Sequence, residues 1–447
     1  MNAGNWSSRA INRLTDNGAL SKKIKKNIYG KLQTIKVIFP SGFADVALDT
    51  INHILNNLWL PQTSHSEITL IGNEIYIRNI HMFSVIELLL RSQCLTDIRL
   101  VIFQGKTFNK FAFEKKCQSM PWDYYLNKSM ALKIKVTSIA SNAFHETALK
   151  KILTEIISPY TLEVASADEL NETTCLYADL YKNKLTLSIS LAGEALYKKG
   201  YRGILSASAP LREDAAAACI IKALQFGKQN NINYVPETVL IPFSGTGTFA
   251  FEFLQNYFNV SPALFQRQYV IEKMPLFRAE NFNYLLKKAI KNCLLPNVEH
   301  ADRTPEVLCI DNSKNANHAC TNNIENFNHL LEMSKLYCIK PKLLDVDFFA
   351  MDFSAIEFAL EHDVFIMLNP PYGLRLNKNA NTDQLYHNIA KKILELSTIT
   401  KSKILGFILC PTESAWSVFI KILKHAKTQT YHFNQGGMDI RVCQFYI

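Results

Sequence analysis

From residue 237 to the C-terminus the chain alternates short apolar runs with longer amphipathic ones, and no other feature restricts its fold as much. ETVLIPF, EVLCID, KLLDVDFFAMD, DVFIMLNP and KILGFILCP are apolar almost throughout instead of alternating apolar with polar. A strand apolar on both faces is buried on both faces, the condition of a parallel sheet covered by helices. GTFAFEFLQNYF, NANHACTNNIENFNHLLEMSK, DQLYHNIAKKILELS and SAWSVFIKILKH read as the helices between those strands. QTYHFNQ and MDIRVCQFYI follow with no helix between them, so the sheet is expected to end in an antiparallel pair. DAAAACIIKAL is a helix rich in small residues ahead of the first strand, and 258–304 is a mostly helical insertion. The expected class is α/β, with a doubly wound, mostly parallel sheet.

At 447 residues the chain is too long for one ordinary core, and its front half has another character. TIKVIF reads as a strand, Pro40 and Gly42 as a turn, and the following stretch as an amphipathic helix. EITLIGNEIYIRNI is a hairpin about Gly72-Asn73, and MFSVIELLLRSQ is a helix. The unit recurs: MALKIKVTSI is a strand, AFHETALKKILTEIIS a helix, and CLYADLYKNKLTLSISLAG a hairpin turning at Lys182-Asn183-Lys184. These are two small α+β units, at 35–110 and 111–195, with a third domain at 196–447. Residues 1–34 form a basic extension whose SKKIKKNIYGK cluster is either a solvated lead-in or a contact for RNA phosphates.

A net charge of +10 favours a polyanionic partner, because each neutralised phosphate releases counterions. No apolar run reaches the roughly 18 residues of a membrane span, and the N-terminus has no secretory apolar region. The ten cysteines form no CxxC pair, which points to reduced thiols and a cytoplasmic protein. His300, His318 and Cys320 do not have zinc spacing, so no metal is expected.

In a doubly wound sheet, ligands bind at the carboxyl ends of the strands. PFSGTGT, holding Pro242, Ser244, Gly245, Thr246, Gly247 and Thr248, follows the first strand and opens a helix. Its glycines permit a tight turn with a ligand close to the backbone, although Ala250 stands where a dinucleotide fingerprint has its third glycine. Asp311 ends the second strand, where a carboxylate either accepts ribose hydroxyls or caps the next helix. Asp352 follows the third, where it meets an adenine amino group or serves as a cap.

The fourth strand ends in LNPPYG. An exocyclic amine on a nucleobase is a poor nucleophile because its lone pair is delocalised into the ring. The Asn369 side-chain oxygen and the Pro370 carbonyl can take its hydrogens and leave a pyramidal nitrogen able to attack a methyl group. Pro370 and Pro371 stiffen the acceptors, and Tyr372 offers a face for a flipped base. This combination, after a glycine loop and two acids in strand order, points to an amino-methyltransferase.

GYRGILSASAPLRED, PFSGTGT, LNPPYGLRL and FNQGGMDIRVCQF together resemble the ribosomal RNA large-subunit methyltransferase L family, over roughly 35–447. The resemblance implies a Rossmann-like class I methyltransferase sheet preceded by a ferredoxin-like segment and a THUMP RNA-binding domain. It implies S-adenosylmethionine as cofactor and the guanine 2-amino group of 23S rRNA as target. It also places APLRED, with Arg212 and Glu213, beside the methionine end of the cofactor. The chain departs from the family pattern at Ile241, where an acid usually precedes the proline, at Ser244 in place of cysteine, and at Ser313 in place of a second acid. Three other readings stay open: a non-catalytic RNA-binding or ribosome-assembly protein on the same scaffold, a tRNA guanine methyltransferase, and a DNA adenine amino-methyltransferase. Nothing in the sequence fixes the oligomeric state.

Overall fold

The computed structural model describes residues 18–61, 65–107, 109–140, 145–164, 173–203, 211–230, 236–265, 267–293, 304–336, 340–353, 363–371, 382–399 and 403–447. The front half opens with α1 (Gly18–Ile24), which runs into a π-helical turn at Lys25–Tyr29. Its lysines face outward, but Ile24 and Ile28 are buried, and the Tyr29 hydroxyl donates to Leu276 O at 2.8 Å. Residues 18–29 are therefore packed onto the body of the protein, not a solvated lead-in.

Next come β1 (Gln33–Ile38), α2 (Ala44–Asn56), the hairpin of β2 (Glu67–Ile71) and β3 (Glu74–Ile80), α3 (Met82–Arg91) and β4 (Asp97–Lys106). They are followed by α4 (Lys110–Gln118), β5 (Ala131–Ile139), α5 (Glu146–Ile157), β6 (Glu163–Val164) and the hairpin of β7 (Thr174–Tyr181) and β8 (Lys184–Ser190). The strands form one eight-stranded sheet in the order β2-β3-β1-β4-β8-β7-β5-β6. Strands β4 and β8 pair antiparallel, so the segments before and after residue 110 share a continuous sheet.

The back half contains α6 (Glu213–Gln229), β9 (Thr238–Pro242), α7 (Thr248–Tyr257), α8 (Ala279–Lys291), β10 (Glu306–Asp311), α9 (Lys314–Met333) and β11 (Lys342–Asp345). After these come β12 (Val364–Leu368), α10 (Thr382–Ile399), β13 (Ile404–Cys410), α11 (Glu413–Ile422), β14 (Lys427–Gln435) and β15 (Met438–Tyr446). The seven strands lie in the order β11-β10-β9-β12-β13-β15-β14, all parallel up to β13. The antiparallel pair closes one edge with the last strand inside, because β15 is buried over most of its length while the polar β14 faces solvent.

Successive residues of the parallel strands enter different cores. Val239, Ile241, Phe365 and Met367 join α6, α7 and α9, whereas Leu240, Val364, Ile366 and Leu368 join α10 and α11. The first core continues into the front sheet. Gly42 marks one point where the halves meet: its φ is +93°, and a Cβ there would lie 2.1 Å from His432 O. Beside it Phe43 packs on Phe433, with ring centroids 5.2 Å apart. The stretch after α7 wedges between the halves, with Ile271 N donating to Leu191 O at 3.1 Å. No helix among the described residues is long and apolar enough to cross a membrane.

Candidate active site

Chain order reverses between β9 and β12, which are adjacent and parallel, so the crevice for a ligand opens at their carboxyl ends. Register sets what gathers there. Ile310 pairs with Pro242, Asp311 with Asp345 and Ile366 with Leu240; continuing that register, Phe243 and Asn369, the first residues past β9 and β12, fall level with Asp311 and Asp345 at the ends of β10 and β11.

The loop after buried Pro242 is bent by positive φ at Phe243 (57°), Gly245 (54°) and Gly247 (82°). At Gly247 a Cβ would sit 2.8 Å from Cys320 Sγ, so only glycine fits without displacement. At Gly245 the space is open, as a cradle for a ligand requires. Asp311 holds the loop: its Oδ2 accepts from Gly245 N at 2.9 Å and its Oδ1 from Ser313 N at 3.0 Å. The helix cap is Ser313, whose Oγ accepts from Ala316 N, so Asp311 is free of that task and keeps lone pairs beyond the two that Gly245 N and Ser313 N use. Ser244 Oγ is buried without a hydrogen-bond partner, a vacancy that a polar ligand would satisfy. Open space, a fixed carboxylate and an orphaned hydroxyl suit a nucleoside with ribose hydroxyls, and the expected cofactor fits this loop.

The other expected residues are distributed around it. Thr248 starts α7, and its hydroxyl accepts from Arg202 Nη2 at 2.5 Å; Thr246 O accepts from Asn323 Nδ2 at 3.0 Å. Glu213, at the start of α6, faces Arg202 with Nε to Oε1 at 3.3 Å. Burial outweighs that guanidinium and, with Glu252 nearby, pushes the Glu213 carboxyl up to about 7. Arg212 turns the other way. Its Nη2 reaches Asp214 Oδ2 at 2.5 Å and Thr96 Oγ1 at 3.0 Å, and its guanidinium lies over Tyr197, so it ties α6 to the front sheet. Strand β11 stops at Asp345; exposed Asp352 lies beyond a 3-10 turn at Phe348–Ala350 that Asp347 caps. Asn369 is half-buried, Pro370 buried and Pro371 exposed. Tyr372 lies outside the described residues.

Sequence reasoning did not find Arg202, Asn317 or Asn323. Asn317 Nδ2 donates to both Asp311 O and Asp345 Oδ1, at 3.1 and 2.8 Å, and so spaces two strand ends. Its position in the first turn of a helix that follows a strand-end acid was the available signal. Arg202 offered none, since the partner that ties it to the glycine loop, Thr248, is 46 residues away.

The RMKL-like methyltransferase domain family matches residues 207–441, more than half of the chain. The ribosomal RNA large subunit methyltransferase K/L of Pseudoalteromonas translucida is 22% identical over 334 residues, covering 73% of this chain and 42% of that protein. Its counterpart in Hydrogenovibrio crunogenus is 23% identical over 365 residues, covering 80% of this chain and 45% of that protein. The chain thus spans less than half the length of these relatives. Among solved structures, SMU.472 complexed with SAH superimposes with a TM-score of 0.70 at 17% identity, covering 93% of this chain and 98% of that one. That likeness is one of fold, and it bears out the Rossmann-like class I methyltransferase sheet expected from the sequence. By the family match over its back half, this chain belongs to the RMKL-like methyltransferase domain family.

Proposed function

We propose that this chain is an S-adenosylmethionine-dependent RNA methyltransferase acting on the guanine 2-amino group of 23S rRNA in the cytoplasm. The observation that carries it is register: carried three residues past the Ile366–Leu240 pair, Asn369, just after β12, falls level with Phe243 and Asp311, which sets an Asn-Pro-Pro stretch at the same sheet end as a glycine loop and its carboxylate. The similar protein SMU.472 is complexed with SAH, which supports the choice of cofactor.

Asp311 would hold the ribose, the backbone of Ser244–Gly247 would lie along the nucleoside, and Glu213 and Thr248 would border its methionine end. Asp352 would reach the adenine. When bound, S-adenosylmethionine supplies an electrophilic methyl group. The chain's own part is to make the amine nucleophilic. Asn369 Oδ1 and the Pro370 carbonyl accept its two hydrogens and draw the nitrogen out of conjugation, while buried Pro370 keeps those acceptors in place before the base arrives. Tyr372 stacks the flipped base, and the methylated nitrogen sheds its extra proton to water. The basic front half, with the THUMP assignment at 111–195, holds the RNA through its phosphates.

Ile241 motivates the second reading, a protein that binds RNA without catalysis. In the structure Ile241 is 1% exposed and packs in the core shared with α7, so the departure from the family leaves no unpaired charge in the loop. It does not impair the fold of the cradle. The test is nucleoside mass spectrometry of 23S rRNA and tRNA from cells with and without the gene. Loss of 2-methylguanosine at one 23S site is the expected result, loss in tRNA moves the substrate, and no change in either RNA sinks the enzymatic reading for RNA.

A further inference from the structure

Three consecutive linker residues ahead of α6 are tied to the glycine loop or its helix, two directly and Gly203 through Asn323 of α9. The hydroxyl of fully buried Tyr201 donates to Glu252 Oε1 on α7 at 2.7 Å. Arg202 Nη2 donates to Thr248 Oγ1 and to Leu211 O, both at 2.5 Å, and Arg202 also faces Glu213. Gly203 N donates to Asn323 Oδ1 at 2.9 Å, and the same side chain donates to Thr246 O. Just upstream, Lys199 and Glu252 form an ion pair with neither side chain exposed.

Burying Lys199, Glu252 and Glu213 beside a half-buried Arg202 is costly unless each is paired and hydrogen-bonded. Here all four stand where the linker, the start of α6 and the helix after the glycine loop converge. We propose that Arg202 is a positioning residue for the cofactor loop, joining the end of that loop to the start of α6, with Tyr201 and Gly203 fixing it on either side. This rests on the reading of the loop as the S-adenosylmethionine site and adds the linker to that site. The linker is itself fastened to the front sheet, since Leu196 N donates to Thr96 O at 2.8 Å while Thr96 Oγ1 donates to Asp214 Oδ2 at 2.6 Å. The loop is thereby held from the sheet proposed to carry the RNA.

Two readouts separate this clamp from the cofactor reading. Hydrogen exchange at the Gly245 and Gly247 amides reports loop order with no ligand present, and calorimetric titration with S-adenosylhomocysteine reports the site. Arg202→Met alone would strand the buried Glu213, so it is combined with Glu213→Gln and compared with Glu213→Gln alone. Relative to that control, the loop amides should exchange roughly tenfold faster and the ligand bind roughly ten- to hundredfold more weakly, as expected for losing charge-assisted hydrogen bonds. KM for the cofactor should rise while kcat at saturation stays within about threefold, a split that general destabilisation does not produce. Arg202→Lys, which keeps a cation beside Glu213, should recover part of the affinity. If the double variant does not fold, Tyr201→Phe, which lacks only a hydroxyl, is judged by the same readouts. Loop exchange and affinity both within about twofold of the control overturn the proposal. Faster loop exchange in a protein whose wild type binds no S-adenosylhomocysteine upholds the clamp and overturns the cofactor reading instead.

Discussion

Two segments leave neighbouring parallel strands at the same level, yet they are held by opposite means. After β9 the loop passes through three positive φ angles and is fixed by side chains far away in the chain: Asp311, Asn323 and, through Thr248, Arg202. After β12 the stretch Asn369–Pro370–Pro371 draws stiffness from its own rings, which fix φ and leave no backbone donor to satisfy at two positions. The proposed cofactor side is therefore built by side chains from other elements, whereas on the proposed substrate side two prolines add stiffness through local covalent constraint. Remote substitutions should loosen the first and spare the second.

The sharpest way to break this division is at its two ends. On the proposed mechanism Asn369→Ala removes an acceptor needed only as the amine becomes pyramidal, so kcat should fall by roughly 10²–10³-fold, like other losses of a preorganised polar group. Affinity for S-adenosylhomocysteine, measured by calorimetry, should not change. Gly247→Ala should do the reverse. Its φ of +82° and the 2.8 Å approach to Cys320 Sγ force the loop to shift, a strain of about 1–3 kcal/mol. Ligand affinity should drop by roughly ten- to hundredfold with kcat at saturation largely kept. A Gly247→Ala enzyme with normal affinity and low kcat would show that the two sides are not separate.

The same contrast explains what the sequence disclosed. The parallel strands were legible because burial on both faces leaves unbroken apolar runs, and the Asn-Pro-Pro stretch because its stiffness is local. The hairpin turns were legible too, since Gly72 and Lys182-Asn183 occupy positive φ, where turn chemistry is restrictive. Strand β11 was read too long: Val346 is 41% exposed and Asp347 caps a turn, features that an apolar count does not register. The loop's supports were hidden, as Arg202 to Thr248 and Gly203 to Asn323 span 46 and 120 residues with no periodic trace. Hidden likewise were the joining of the two front units through β4 and β8 and the packing of Ile24 and Ile28 within a lysine-rich segment, both of which depend on surfaces brought from elsewhere.

A smaller effect sharpens the cofactor side through pH. Burial pushes the Glu213 carboxyl from its ordinary value of 4.5 up to about 7 in the folded chain. Between those values the folded state holds a proton that the unfolded state has lost, so this group's contribution to stability falls as pH rises from about 4.5 to about 7. The loss is on the order of 3 kcal/mol when complete. Urea denaturation at pH 5 and pH 8 should show it for the wild type, and Glu213→Gln should flatten the difference. An equal pH dependence in both proteins would mean that the carboxylate is better solvated or better paired than its burial beside Arg202 implies.

The smallest effect is expected midway along α6. Lys222 pairs there with Asp45 of α2 and lies over the Tyr431 ring at 4.8 Å. Asp45 is 57% exposed, so water and salt screen the pair, and Lys222→Ala should cost about 1 kcal/mol or less in denaturant titrations. Neither loop touches this contact. The front sheet is still fastened near the site by Thr96 and Asp214, so ligand affinity and kcat should both stay within about twofold of wild type. A larger drop in affinity alone would mean that the seating of the front sheet reaches the glycine loop through α6. The proposed cofactor side would then depend on the half proposed to carry RNA as a whole, while the Asn-Pro-Pro side, stiffened by its prolines, would still not.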